Sequence, residues 1–212
     1  MKDGAGFLAI WSDVARENET DYLHWLTREH TQERLGVPGF LGVRVFRARA
    51  PNVRRYFILY DLAAPEVVGS AAYLARLNDP TPWSRRIMPI LSNFSRGGGR
   101  RLLQLGHGSG AVVRPQVISR SLLDDALRRA PGLVMADRIT SVQILAVDRD
   151  FSEVDTNEKA LRSGDGSFDG LLLIEGLDEP ALARAFDALD KPESGRALTY
   201  DQVYSLRTED LA

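Results

Sequence analysis

The feature that most restricts the fold of this chain is an internal repetition of strand and helix patterns. The string VPGFLGVRVF (residues 37–46) is echoed by APGLVMADRI (residues 130–139). Further on, FILYDLAAPEVV (residues 57–68) is echoed by LLLIEGLDEPAL (residues 171–182), and in both an apolar run leads through Leu, two residues and Pro into a helical pattern. Proline is tolerated in the first turn of a helix because its missing N–H would have no partner there. Two matches in the same order predict two diverged copies of one unit.

Each copy is predicted to contain the element order βαββαβ. In the first copy we expect strands at residues 7–12, 40–49, 54–62 and 100–105 and helices at 20–35, 65–77 and 83–91, the first capped by Thr20. In the second copy we expect strands at 111–119, 137–147, 168–175 and 201–207 and helices at 121–130 and 179–189. The polar stretch at residues 148–167 lengthens the second copy and is predicted to be an enlarged hairpin loop.

The strand patterns also predict how the two copies pack. A βαββαβ unit forms a four-stranded antiparallel sheet with both helices on one face. Strands such as FILYDL and GLLLIEGL carry apolar residues at both parities, which indicates that both faces of the sheet are buried. We therefore predict an α+β fold in which residues 1–106 and 107–212 form tandem halves, packed sheet to sheet as one pseudo-symmetric barrel.

Composition narrows the classes of function. The chain has 212 residues, of which 44% are hydrophobic and 26% charged, and its net charge of −2 gives no reason to expect nucleic acid or an anionic membrane as a partner. The absence of cysteine excludes disulfides, thiolate catalysis and Cys-ligated metals. The N-terminal apolar run is shorter than that of a signal peptide, and no segment approaches the roughly 20 apolar residues of a membrane span. We expect a soluble, cytoplasmic protein.

The segment DYLHWLTREHTQERLGVPGF (residues 21–40) is the first candidate for a site. On a helix, residues three or four apart share a face, and this spacing groups Leu23, Leu26, His30 and Arg34. The adjacent stripe consists of Tyr22, Trp25, Glu29 and Glu33, and the positions expected to face solvent are His24, Arg28 and Thr31. A half-buried histidine beside a carboxylate has a tunable pKa and can act as a general base or acid. The alternative is a core histidine satisfied by a backbone carbonyl or by Glu33.

A second candidate segment, LARLNDPTPWSRRIMPILSNF (residues 74–94), is too interrupted by proline to be one long helix. Irregular segments of this kind lie over the ends of a scaffold and often line pockets. Arg85 could clamp a carboxylate or enolate there, with Trp83 as an apolar wall and Met88 beside it. The alternative is ordinary packing for Trp83 and solvated arginine side chains, which is favoured for Arg86.

Several other patterns lack the context that their chemistry needs. GGG (residues 97–99) and GHGSG (residues 106–110) resemble phosphate loops, but GHGSG leads into a strand instead of a helix and is predicted to link the halves. His24 and His30 lie six positions apart and cannot share a helical face, so no metal site is predicted. The basic residues near the end of the first half have no aromatic platform beside them, which argues against nucleic-acid binding.

Taken as strings, REHTQERLGVPGF and SAAYLARLNDPTPWSRRIMP resemble bacterial proteins of the EthD-like type, within the dimeric α/β-barrel superfamily. The resemblance covers residues 7–105 directly and the remainder only through the internal repeat. It implies a ferredoxin-like fold for each half and a ligand cavity between sheet and helices. Carried over by position, the residues that border this cavity are Trp25, Glu29, His30, Trp83 and Arg85. The superfamily includes haem-dependent members, but the helices of the second half carry no histidine for an axial ligand.

These observations predict a cofactor-independent enzyme that acts on a small apolar or aromatic carbonyl or phenolic compound. In this hypothesis His30 moves a proton, Glu29 or Glu33 orients it, and Arg85 stabilises negative charge. The residues expected to contact the ligand are Trp25, Leu26, Glu33, Arg34, Trp83 and Met88. The alternatives are a non-catalytic protein that binds a hydrophobic molecule, for instance in a stress response, and a dimerising structural module without a ligand. No cofactor is expected, and further association into a homodimer is left open.

Overall fold

The computed structural model describes residues 5–152, 154–187, 189 and 197–211. Its strands are β1 (Gly6–Asp13), β2 (Phe40–Ala48), β3 (Arg55–Leu62), β4 (Ser92–Gly106), β5 (Val112–Ile118), β6 (Ile139–Val147), β7 (Gly170–Gly176) and β8 (Tyr200–Arg207). Neighbouring strands are antiparallel and close into one barrel in the order β1-β3-β2-β8-β5-β7-β6-β4.

The barrel contains both predicted sets of strands, and each set is contiguous. The first half forms the run β4-β1-β3-β2, and the second half forms β8-β5-β7-β6, which is the same relative order. The two runs are joined where β2 pairs with β8 and where β4 pairs with β6. The predicted α+β class and the barrel are confirmed. The two sheets are not separate layers, because hydrogen bonds along both edges make them one continuous surface.

Helices cover the outside of the barrel. The first half contributes α1 (Glu19–Trp25), a π-helical turn (Leu26–His30), α2 (Thr31–Leu35), α3 (Ala71–Asn78) and α4 (Pro82–Ile87). The second half contributes α5 (Leu123–Val134), α6 (Arg149–Ser152) and α7 (Glu179–Asp187). The predicted cap at Thr20 is wrong, because α1 continues directly from a 3-10 turn and begins at Glu19. Among the described residues, no helix combines the length and the apolar composition that crossing a membrane requires.

Alternation along the strands separates the barrel interior from the face that the helices cover. In β1, Leu8 and Ile10 pack with the helices of the first half, whereas Trp11 points into the barrel. The Trp11 ring lies 4.6 Å from the ring of Phe57 and 5.1 Å from the ring of Phe168, between centroids. Aromatic rings from both halves therefore share one interior core. The predicted burial of both faces is confirmed in β3 and β7, whose residues are almost all buried.

The glycine run at residues 97–99 lies inside β4, which begins earlier than the predicted strand. A Cβ at Gly97 would come within 2.6 Å of the Phe168 ring, and one at Gly99 would come within 2.1 Å of a carbonyl oxygen of β6. Both distances are far shorter than van der Waals contact. The run is therefore required for close packing inside the barrel, whereas the GHGSG segment connects β4 with β5 as predicted.

The first pair of repeated strings is not equivalent in the structure. VPGF forms a turn directly before β2, in which Gly39 has a φ of 95°. APGL instead belongs to α5, which continues through Pro131 to Val134. A proline inside a helix removes one backbone hydrogen bond, but Ala130 and Leu133 are buried against the sheet, and their burial favours the helix. The predicted end of this helix at residue 130 is therefore wrong.

Candidate active site

A cavity of about 320 Å³ lies between the outer face of the first-half sheet and the helices that cover it. Much of its wall is apolar and includes Leu8, Ile10, Ile58, Val68, Leu74 and Leu77. Its polar lining includes His30, Arg34, Tyr60, Glu158 and Arg162. Small-molecule pockets typically measure roughly 300–1,000 Å³. The cavity is therefore large enough for a compact ligand of a few rings.

The π-helical turn at Leu26–His30 brings His30 to this cavity in the middle of the predicted first helix. Such a turn uses i→i+5 hydrogen bonds, adds a residue relative to an α-helix and is frequent at functional sites. The extra residue rotates the following positions about the helix axis. Thr31 is consequently fully buried, although periodicity placed it in solvent, so that prediction is wrong. A regular period of 3.6 residues cannot anticipate the shift.

His30 is held between an aromatic ring and the cavity. Its side chain is 4% exposed, and its ring lies 4.1 Å from the Trp25 ring, between centroids. The Trp25 Nε1 donates a 3.1 Å hydrogen bond to Ser84 Oγ on α4, which fixes the indole. Within the described part of the chain, the Nδ1 of His30 has no hydrogen-bond partner. The alternative of a core histidine satisfied at this nitrogen by Glu33 or by a backbone carbonyl is therefore not supported.

Burial lowers the pKa of His30 well below its ordinary value, because a protonated ring would lose its hydration. The positive charges of Arg34 and Arg162 lower the same pKa further. His30 is therefore neutral near physiological pH and can accept a proton or a hydrogen bond. An anion bound in the cavity would oppose both effects and raise the proton affinity of the imidazole.

Two further cavity-lining residues carry buried donor groups for which the described ranges offer no acceptor. Arg34 is 2% exposed and its Nη2 pairs with Glu158, whereas its Nη1 has no acceptor among the described residues. The Tyr60 hydroxyl is also buried without a partner there, and burial raises the pKa of Tyr60, so the hydroxyl stays protonated. A buried polar group left unsatisfied costs roughly 1–3 kcal/mol. Oxygen atoms of a bound molecule would satisfy donors of this kind.

One wall of the cavity comes from the second half, through the connection between β6 and β7. The Glu158 backbone N–H donates to the last turn of α3 at 3.0 Å, and the Glu158 carboxylate forms the buried ion pair with Arg34. Arg162 lies over the Phe94 ring, 3.8 Å from its centroid. The sequence predicts an enlarged hairpin loop here but does not indicate that it folds onto the other half. The sequence features that could have indicated this contact are the extra length and the charged residues of positions 148–167.

The structure brings together four of the predicted site residues at the cavity: Trp25, His30, Arg34 and Met88. The predicted site residues that do not line it are Leu26, Glu29, Glu33, Trp83 and Arg85. Leu26, at the start of the π-helical turn, is fully buried in the hydrophobic core of the first half. Trp83 is half-buried, and its Nε1 donates to Asp21 Oδ1 at 3.0 Å. The tryptophan that lines the cavity is therefore Trp25 and not Trp83.

The predicted carboxylates and Arg85 are engaged elsewhere. Glu29 accepts a 2.6 Å hydrogen bond from the Thr81 hydroxyl, and Glu33 accepts a 3.4 Å hydrogen bond from Arg76. Desolvation raises the pKa of Glu33. Arg85 is exposed, because the buried positions of α4 are Ser84 and Ile87. Its Nε donates to a backbone carbonyl at 3.0 Å. The expectation that Arg85 borders the cavity is corrected: Arg34 and Arg162 supply guanidinium groups there.

A second cavity, of about 400 Å³, lies at one end of the barrel. Its buried carboxylate, Glu175, accepts from Arg44 Nη1 at 2.8 Å and from the backbone N–H of Gly110 at 3.1 Å. Nearby, Arg101 pairs with Asp61 at 2.5 Å. The first cavity is the stronger candidate, because its lining combines a histidine nitrogen with two donor groups that lack partners among the described residues. No group of three or more His, Cys, Asp or Glu in the described ranges is arranged to hold a metal ion.

The overall architecture is shared with several solved structures, whereas no family profile and no curated protein searched matches the sequence. An anthrone oxidase-like protein superposes with a TM-score of 0.65 at 9% identity, covering 98% of this chain and 94% of that chain. A candidate monooxygenase of Fusobacterium nucleatum gives a TM-score of 0.57 at 10% identity, over 98% of this chain and 96% of that chain. A candidate monooxygenase of Lactobacillus acidophilus gives 0.53 at 7% identity, over 96% and 97%. This likeness is one of fold alone.

Proposed function

We propose that this protein catalyses cofactor-independent proton abstraction from a small aromatic carbonyl or phenolic compound in the first-half cavity. The observation that carries the proposal is a set of buried atoms on cavity-lining residues that lack partners in the described part of the chain: His30 Nδ1, Arg34 Nη1 and the Tyr60 hydroxyl. One atom can accept a proton and two can donate hydrogen bonds. The apolar remainder of the wall suits a flat ring system.

The proposed step uses these atoms in complementary roles. Arg34 Nη1 and the Tyr60 hydroxyl hold the carbonyl oxygen of the substrate. His30 Nδ1 removes a proton from the adjacent carbon, the C–H electron pair forms a carbon–carbon double bond, and the carbonyl π pair moves onto oxygen. The resulting enolate oxygen lies against fixed donors in a buried site, where electrostatic stabilisation is strong. In a β,γ-unsaturated substrate the enolate extends over the second double bond, and return of the proton to its far carbon completes an isomerisation. Arg34 takes the role that the sequence assigned to Arg85.

Oxidation is a second outcome of the same carbanion, and the names of the structural neighbours favour it. The neighbours at TM-scores of 0.65 and 0.57 are named as an anthrone oxidase-like protein and a candidate monooxygenase. In an aromatic ketone with a ring CH₂ group, His30 would remove a proton and the carbanion would reduce dioxygen. The balance is CH₂ + O₂ → C=O + H₂O, with one oxygen atom in the product and one in water. We include in this proposal that the chain is of the EthD-like type, which its sequence resembles.

A turnover assay with a panel of aromatic ketones and phenols tests the proposal, with oxygen uptake recorded to separate oxidation from isomerisation. Replacing His30→Gln removes the base and should lower kcat by at least about 10²-fold. His24→Gln is the matched control, because His24 is on the same helix but does not line the cavity. Unchanged turnover in the His30 variant contradicts the proposed role.

A second candidate function is binding of a hydrophobic molecule without catalysis. It is favoured by the lowered pKa of His30, which makes the imidazole a weak base, and by the apolar wall. Ligand at 100 times its dissociation constant stabilises a protein by about 2.7 kcal/mol, which thermal unfolding detects. Stabilisation that survives in His30→Gln, with no turnover by either protein, supports this second candidate. Turnover that the substitution abolishes supports the enzyme.

A further inference from the structure

We propose that the substrate of this cavity carries a carboxylate and that Arg162, contributed by the second half, binds it. The inference rests on the proposed function, because it names the substrate class of the same site. The two guanidinium groups then have separate roles. Arg34 holds the reacting oxygen, and Arg162 holds a charged substituent on another part of the ring system. Arg162 is then a specificity-determining residue.

The contacts of Arg162 leave one side of its guanidinium weakly satisfied. The side chain is 5% exposed, and its Nε and Nη2 donate to Asp165 at 3.3 and 3.1 Å. Its Nη1 faces Met88 Sδ at 2.8 Å and the Glu158 backbone carbonyl at 3.4 Å. A thioether is a weak acceptor, and the second contact is long. A buried cation with such partners is suited to a ligand carboxylate, which would form a charge-assisted hydrogen bond.

The packing of Arg162 fixes where such a carboxylate would bind. Its guanidinium lies over the Phe94 ring at 3.8 Å from the centroid, and Phe94 also lines the cavity. This contact leaves the guanidinium little freedom, so less conformational entropy is lost when it binds an anion. The lining residues near it include the exposed Gly166 and Ser167, which indicates that this part of the cavity is close to the opening.

The charge of the ligand separates the candidate substrates. A phenol has an ordinary pKa of about 10 and is neutral at pH 7, whereas a carboxylate is charged there. A carboxylate can form a charge-assisted hydrogen bond with Arg162, and a neutral phenol cannot. Arg162 therefore favours an aromatic carboxylate over a simple phenol.

Calorimetric binding with matched ligands tests the inference. The probes are 2-naphthoate, its uncharged isostere 2-naphthamide, and 2-naphthol. The intact protein should bind the carboxylate about 10-fold or more tightly than the amide, as expected for a charge-assisted hydrogen bond. Rising salt should weaken binding of the carboxylate and leave binding of the amide unchanged. Equal affinity for carboxylate and amide in the intact protein overturns the inference.

Substitutions then assign the preference to one residue. Arg162→Met should abolish the preference for the carboxylate and change amide affinity less than about twofold, whereas Arg162→Lys should restore part of it. Arg149→Met is the control, because its side chain is 62% exposed and it lies in the same connection. A preference that survives in Arg162→Met overturns the inference while the proposed function stands. If none of the three probes binds the intact protein, the aromatic pocket itself is wrong and both proposals fail.

Discussion

The helix layers of the two halves place different side chains against the same barrel. In the second half, small residues lie at the contacts with the sheet: Ala126, Ala130, Ala181 and Ala185. In the first half, Tyr22, Trp25 and Tyr73 occupy buried positions on the helices, and a cavity of about 320 Å³ lies among them. The distance between packed elements depends on the side chains at the contact. Alanine permits close approach, whereas large aromatic residues leave space that other groups must fill.

The connections of the two halves differ as well. A short turn at residues 49–54 joins β2 to β3, but the connection between β6 and β7 contains α6 and a 3-10 turn (Lys159–Leu161). The long connection reaches the first half and supplies Glu158 and Arg162 to its cavity. The short turn is too small to give a similar wall to the second half. The first half therefore supplies most of the cavity lining, and the second half completes it.

The largest expected effect concerns the ion pair that ties the long connection to the first half. Glu158→Gln keeps the shape of the side chain but leaves Arg34 buried without its counter-charge. We expect the free energy of unfolding to fall by about 3–5 kcal/mol, measured by urea denaturation. Asp155→Asn is the control, because that side chain is 98% exposed and should change stability by less than about 0.5 kcal/mol. Equal effects of the two substitutions would contradict the anchoring role of Glu158.

The second prediction compares packing in the two helix layers directly. Leu8 and Leu182 are both fully buried, but Leu8 lines the cavity whereas Leu182 belongs to the cluster of the second half. Leu182→Ala should cost about 2–5 kcal/mol, the sum of lost burial and a new void. Leu8→Ala should cost about 1 kcal/mol less, because part of its surface already faces empty space. Denaturation of both variants side by side measures the difference, and the reverse order would count against it.

Much of the fold could be predicted from the sequence, because burial and periodicity act locally. Apolar residues at both parities of β3 and β7 indicated burial of both faces, and the barrel followed. The internal duplication stays a prediction: the strand order is the same in both halves, whereas the APGL string lies in a helix and its counterpart VPGF lies in a turn.

The site was less predictable because its residues meet through long-range contacts. Glu158 and Arg162 are far from His30 in sequence, and the π-helical turn before Thr31 has no periodic signature. Helical spacing found His30 and Arg34, but it could not distinguish Arg85, which faces solvent, from a cavity residue.

The third prediction uses pH to separate the cavity from the rest of the protein. The pKa of His30 is lowered in the folded state, whereas the unfolded chain binds a proton near the ordinary pKa of about 6.5. The contribution of His30 to the free energy of unfolding is thus fully present above that pH. It falls as the pH decreases toward the folded pKa, by at most about 1.4 kcal/mol per pH unit. Between pH 7 and 5.5, the intact protein should lose about 1 kcal/mol more than His30→Gln. His107→Gln, at an exposed connector position, should follow the intact protein.

The last prediction concerns Tyr60, whose substitution should cost no stability, and it separates a binding group from a structural one. Tyr60→Phe removes a buried hydroxyl that has no partner among the described residues, so the free energy of unfolding should stay unchanged or rise by about 1 kcal/mol. Tyr22→Phe removes a hydroxyl that lies 3.2 Å from Ser12 Oγ, and should cost about 1 kcal/mol. If the Tyr60 hydroxyl holds a ligand oxygen, the same substitution should weaken binding of an aromatic ketone by about 5–10-fold. A stable Tyr60→Phe protein with unchanged affinity would show that this hydroxyl does not bind the ligand.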